Sequence, residues 1–528
     1  LSIGAHADYT IAAPISGTGD LVSNIGAGKI LYLTQDNSYQ GVTTINSGTL
    51  NIGKGTSTGS LGTGAVTIAT GAELIFSRLG NTTLSNTITG SGTGKLTIGT
   101  SGSLIVTTDN QIDITGELKF GATIGSATHS TLDLTDGSIN VGSLRVQTDT
   151  TTGAGVNNII IGSGKSLNVK GLVTIGVDNG GNPISNLTMT GAGVLNIGTA
   201  LLPTNANVNI GASTISSSKA NYVNWDMSGL SELNMNLGTG IFNIGGSVGG
   251  LTSFSNTNST TVRLAVNSTI TASAISMDEA NSRNFNLNFG SGLTTLNVDT
   301  INVVGPTGTA RSQCYINFNT GDGTLVVRGK AGTADSRAAL NIANSTITTG
   351  SSLLGSVDLS NHSSDMMLST VTVGKRDSLT GTSAVGYGSG RLIFGTGTFD
   401  AQTLNIANKS NYGSTAPASL TSSTGVEISG SIVGMVSFGD ATVKIGTVDV
   451  ARHASSYNGG KVQGLLEFGG STSSNYALTN VTIATASTTT IGAADVTGYF
   501  NVSAGNAYVT TISGASAALG ATARANLN

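Results

Sequence analysis

The sequence predicts an all-β chain: an elongated, right-handed parallel β-solenoid, or β-helix, with triangular coils of about 20–30 residues and projecting loops. Three observations carry this expectation. Short alternations of apolar and polar residues, such as TLNIG, LTIGT, TLDLT and TVDVA, run from end to end with the period of a half-buried strand. Glycine, 76 of 528 residues, and asparagine punctuate these runs as turn signals. The runs also recur at near-regular spacing, which marks a repeat architecture rather than a set of globular domains.

Composition narrows the function classes. Charged residues make up 9% and aromatic residues 5%, and the net charge is −4. Surface polarity must therefore come from Ser, Thr and Asn, and Thr is well suited to a pleated face. The alternating Val, Ile and Leu separate this chain from disordered sequences, which cannot bury enough apolar surface. So little charge of either sign leaves no footprint for nucleic acid or for an anionic membrane. The single Cys314 excludes an internal disulfide framework. No apolar run is long enough to span a bilayer, and residues 1–20 lack a basic region followed by an apolar core. Any export signal is expected to be removed or to lie outside this sequence.

Taken in order, residues 1–19 (LSIGAHADYTIAAPISGTG) overlay residues 74–92 (LIFSRLGNTTLSNTITGSG) without gaps. Leu1 then falls on Leu74, Ile3 on Phe76, Ile11 on Leu84 and Ile15 on Ile88, so the chain is expected to enter in mid-repeat. The segment from Ile11 to Gly99 contains NSYQGVTTINSGTLNIG, with Tyr39, Gly41, Thr43, Thr44, Gly48 and Leu50 at its marked positions. This string resembles the autotransporter-associated β-strand repeat. The resemblance implies an exported bacterial surface β-helix with a structural or adhesive role. Residues 1–143 are accordingly read as coils of that type.

From about residue 144 to 512 the coils are looser: an apolar-x-apolar triplet, a loop, a second triplet, Gly, then another strand. Second triplets open at Ile159 and Leu187, 28 residues apart, and at Leu287 and Ile316, 29 apart, distances that suit one triangular coil. Later copies, VTVGKRDSL…, LNIANKSNYG… and VDVARHASS…, keep the triplets and are expected to vary only in the loop. Residues 513–528 form an Ala-rich tail.

Few residues suggest chemistry. GSGKS at Gly162–Ser166 resembles the end of a phosphate-binding loop, but Ile159 stands where that motif needs glycine, and a strand follows where a helix is required. His6, His129, His362 and His453 are scattered, with none at metal-ligand spacing. Asp133 with Asp136, or Asp358 with Asp365, could form a glycan-cleaving pair, but such sites need a fixed carboxylate separation and a sugar-stacking lining. With Trp225 as the one tryptophan, turn capping is the expected role of these aspartates. No catalytic, cofactor-binding or metal residue is assigned, and no cofactor is expected.

The remaining charges fall at equivalent places. GKRD at 374–377, DEANSR at 278–283, TARS at 309–312 and ARHA at 451–454 each follow the first triplet of their coil. Lys375, Arg376, Asp278, Glu279, Arg311 and Arg452 are thus expected on stacked loops, as a solvated edge or as lateral contacts. Leu1, Ile3, Ile11 and Ile15 are expected to form an uncapped assembly edge, since an open coil templates further strands. The resulting expectation is an extracellular or cell-surface structural protein, a subunit of a bacterial fibre, sheath or layer. It would join head to tail with copies of itself and possess no catalytic activity. An adhesin binding surface glycans through the loops is the alternative, and a polysaccharide-degrading β-helix enzyme is a third reading.

Overall fold

The computed structural model describes residues 1–99, 102–121, 130–146, 155–176, 184–199, 201–211, 222–245, 258–277, 283–304, 312–319, 321–345, 353–376, 387–409, 418–422, 425–453, 461–486, 495–517 and 522–527. These residues are all-β, and no helix among them is long and apolar enough to cross a membrane. The chain forms two compact units. One comprises residues 1–214, 221–240 and 262–266, and the other 215–220, 241–261 and 267–528. No unit boundary falls near residue 143, because strand pairing runs through it: Glu117–Phe120 pairs with Ser143–Val146, which pairs with Val173–Ile175.

The first unit consists of three parallel ladders. One runs through Ser2–Ile3, Leu21–Asn24, Thr43–Ser47, Val66–Ile68, Ile88–Gly90 and Ile112–Ile114, then Ile139–Val141, Ser166–Val169, Val194–Ile197 and Glu232–Asn236. A second runs from Tyr9–Ile11 through Ile30–Leu33, Thr49–Ile52, Glu73–Phe76 and Lys95–Ile98 to Val208–Ile210. The third begins at Thr82–Thr83 and Ser103–Ile105 and continues through Thr131–Leu134, Val156–Ile161 and Ile184–Thr190 to Tyr222–Asp226. The period-two pattern explains the packing. Leu31 and Leu33, Leu50 and Ile52, Leu74 and Phe76, and Leu96 and Ile98 stack strand upon strand on the inner side; of the residues between them, Tyr32 is half-buried, while Asn51, Ile75 and Thr97 are covered as well. Each such apolar side chain contributes about 1.5–3 kcal/mol on burial. At Gly116 and Gly142 a Cβ would run into the carbonyl oxygens of Gly94 and Thr115, so these corners close only with glycine.

The second unit repeats this parallel pairing with longer strands. Leu353–Arg376 pairs along most of its length with Gly388–Lys409, which pairs with Ile432–Phe438 and with Ala441–His453. These in turn pair with Lys461–Gly469 and Asn475–Ala486. The described residues of the expected tail lie in strands as well: Asn506–Ala517 pairs with Asn475–Ala486, and Thr522–Leu527 with Asp495–Ala504.

Three sequence expectations need correction. Leu74 does not share a ladder with Leu1; it follows Tyr9, Leu31 and Leu50 in the second ladder, while Ser2 pairs with Val22 in the first. Likewise Ile159 pairs with Met189, and Leu187 lies beside Asn157. That slip is two residues, so both alignments bury the same faces, and alternation alone cannot tell them apart. Leu287 does pair with Ile316. Finally, the spacing between partners is not confined to one coil length. Leu21 meets Thr43, 22 residues on, whereas Gly388 meets Ile432, 44 residues on. The extra length includes Ala418–Thr421 and Glu427–Gly430, an antiparallel hairpin where only a loop was expected.

Candidate functional site

The clearest unusual chemistry lies at the ends of the long strands in the second unit. Gly374, Ala407 and Ala451 are register neighbours, and all have left-handed backbone, with φ of 71°, 53° and 60°. Ala343 and Ala484 continue this column on either side, with φ of 50° and 56°. L-residues enter that region at a cost, and one such residue turns the strand and resets which side chains point inward. The second residue after each bend faces in: Ser345, Arg376, Lys409, His453 and Ala486, again in register. Three bases on adjacent strands are thereby stacked at the ~4.8 Å strand spacing. Arg376 is 1% exposed, and Lys409 and His453 are fully buried.

Burial decides their charge states. Desolvation pushes the Lys409 ammonium down to about 8, so it stays mainly charged at neutral pH. Desolvation, reinforced by the charge of Lys409, pushes His453 down to about 4, so its imidazole is neutral there. Arg376 remains a cation, and its guanidinium donates to the Tyr387 carbonyl oxygen at 3.4 Å. The column therefore sets two buried cations beside a neutral imidazole, which resists protonation.

This arrangement overturns one expected loop contact and revises two others. Arg376 is an interior residue, because the bend at Gly374 reverses the alternation. Lys375 is half-buried on the same strand, and Arg452 is exposed on Ala441–His453, 3.4 Å from Asp449. Asp278, Glu279 and Arg311 lie outside the described residues. The signal for the column was present in VTVGKR, LNIANK and VDVARH: an apolar triplet, then Gly or Ala, then any residue, then a base. Only the pairing shows that the fourth element of this pattern faces inward.

The other candidates are placed as follows. Leu1 is 60% exposed, and its ammonium donates to the Asp20 carbonyl oxygen at 2.6 Å. Ile3, Ile11 and Ile15 are half-buried against the next turn, where the Ile15 amide donates to Asn37 Oδ1 at 2.8 Å. Asp133 accepts from the amide and hydroxyl of Thr135 at 2.9 and 2.6 Å, an Asx turn. Asp358 faces Arg391 at 3.3 Å and Asp365 faces Arg328 at 2.5 Å, so each of these carboxylates is ion-paired with an arginine. In the GSGKS segment, Gly164 takes a left-handed turn and Lys165 reaches Asp109 at 3.1 Å. His362 stacks on Phe318 with ring centres 3.8 Å apart, and His129 lies outside the described residues. Cys314 is buried, its Sγ 3.1 Å from the Met277 carbonyl oxygen. Among the described residues no group of three or more His, Cys, Asp or Glu side chains could hold a metal ion. No family model, curated protein or solved structure matches this chain.

Proposed function

We propose that this chain is a right-handed parallel β-solenoid with three-sided coils, acting as a noncatalytic structural subunit of a bacterial surface fibre, sheath or layer. The observation that carries the reading is the use of polar side chains to brace successive turns. On the outer side of the first ladder, Asn168 donates to Asn140 at 3.0 Å, Asn196 to Asn168 at 2.8 Å and Asn234 to Asn196 at 3.1 Å, and Asn140 donates at 3.0 Å to Asn110, in the turn before Ile112–Ile114. Each Asn amide offers both donors and an acceptor, so a column of them adds a side-chain ladder alongside the backbone one. Asn341 and Asn302 do the same in the second unit at 2.9 Å.

Charges are used in the same way. Arg337 reaches past the strand carrying Met367 and Leu368, whose Leu368 carbonyl oxygen it also contacts, to Asp400 at 2.9 Å, and Lys444, the register partner of Asp400, approaches the same carboxylate at 3.7 Å. Polar groups thus link neighbouring turns instead of converging on a cleft. Right-handedness is the expected hand for parallel strands joined by crossovers. A location outside the cell fits the low charge, the Thr- and Asn-rich surface and the repeat resemblance in the first hundred or so residues. Head-to-tail growth is the proposed mode of assembly, because a parallel ladder leaves unpaired amides and carbonyls at whichever strand it stops.

Electron microscopy and sedimentation of the purified chain over a concentration series test this reading. Fibres or sheets that appear as concentration rises are expected. Single particles of constant mass at every concentration would overturn the assembly role.

A further inference from the structure

The outer face of one ladder in the second unit changes character along its length. Its outward positions read Asn286, Tyr315, Ser356 and Arg391 in successive turns, then Met435, Leu465 and Tyr499. Beside them, Ser389 is followed by Val433. An outward apolar strip of this kind is ordinarily a liability. Here Val433, Met435 and Leu465 are at most 1% exposed, because the antiparallel hairpin Ala418–Thr421/Glu427–Gly430 lies over them. Ile428 is fully buried at the centre, with Ala418, Leu420 and Val426 around it.

The hairpin is a two-stranded sheet of its own, not a strand of the ladder beneath it. Polar contacts anchor the hairpin beside Gly430. Ser429 donates its amide to Gln463 Oε1 at 2.7 Å, Lys461 Nζ reaches Ser429 Oγ at 3.4 Å, and Ser431 donates its amide and hydroxyl to the Lys461 carbonyl oxygen at 2.8 and 3.0 Å. At the other end the Ser422 amide donates to the Val426 carbonyl oxygen at 2.9 Å and the Val426 amide to Ser422 Oγ at 3.0 Å. Two-stranded hairpins have little stability alone, so the apolar strip is what keeps this one in place. The ladder beneath is held by continuous parallel pairing that does not depend on the hairpin.

We propose that this hairpin is a hinged strap. It pivots about Gly430–Ser431 and opens as a separate unit while the ladder below stays folded, uncovering Val433, Met435 and Leu465 on the outer face. The short connection from Gly430 through Ser431 into Ile432–Phe438 keeps the released strap tethered. Opening is therefore intramolecular and reversible.

Native-state hydrogen exchange on the full chain, read by mass spectrometry, tests this. Amides of 418–421 and 427–430 are expected to show protection at least roughly 100-fold below those of Ile432–Phe438 and Lys461–Gly469. Equal protection, with both segments exchanging together, would show a fixed second layer and overturn the proposal. The variant Ile428→Ser supplies a second reading. It should abolish hairpin protection and raise binding of an apolar dye, leaving ladder protection within about threefold of the parent chain. Loss of ladder protection in this variant would likewise overturn the strap.

Discussion

Acidification should destabilise the second unit through His453. Histidine ordinarily titrates near 6.5, and burial beside Lys409 brings His453 to about 4. Between those values the unfolded chain binds a proton that the folded chain cannot, so folding stability falls as pH drops through that window and levels off below about 4. A depression from 6.5 to about 4 corresponds to roughly 3 kcal/mol at about 1.4 kcal/mol per unit. Asp449 works in the opposite direction: desolvation raises its carboxyl, so acid favours its folded, protonated form. The variant His453→Leu separates the two by removing only the imidazole. Urea unfolding of both chains between about pH 7 and about pH 4 should show the parent losing roughly 3 kcal/mol more than the variant. With four histidines in the chain, the His453 ring can also be titrated directly by NMR. A midpoint near 6.5, or equal acid losses in parent and variant, would refute the reasoning.

Other perturbations test the bracing and the bends. Asn168→Ala removes a donor to Asn140 and an acceptor for Asn196, and should cost about 1–2 kcal/mol by thermal unfolding. Asp400→Asn weakens the attachment of Arg337, whose side chain is 21% exposed against 16% for the aspartate; a loss of about 1.5–3 kcal/mol that changes little with added salt is expected. Lys444, 73% exposed, adds little to that figure. Gly374→Ala combines a left-handed φ of 71° with a Cβ driven into the Val433 carbonyl, and should cost more than ~2 kcal/mol. Exchange protection lost around residues 371–376 and in the paired strands would locate the damage.

Much of the architecture was legible because strand alternation is a local property. Leu31 with Leu33 and Leu74 with Phe76 declare a buried face to anyone reading with a period of two. Charge scarcity and the Thr- and Asn-rich outward positions were equally plain. Register was legible only in part: Leu287 does meet Ile316, but Leu187 and Met189 offer the same face to Ile159 and differ only in which partner the backbone selects. Nor was the hairpin at 418–430, whose apolar residues gain meaning only when Met435 and Leu465 are known to face outward beneath it.

From sequence alone, then, came the all-β character, the buried stripes and the small part that charge plays at the surface, because each depends on neighbours along the chain. Tertiary structure decided which strands pair, and it placed Arg376, expected on a projecting loop, with Lys409 and His453 in a buried column. The physical reason is that a single left-handed residue reverses side-chain parity at a cost of only about 1–2 kcal/mol. Whether that cost is met depends on the turns above and below, which lie tens of residues away in the chain.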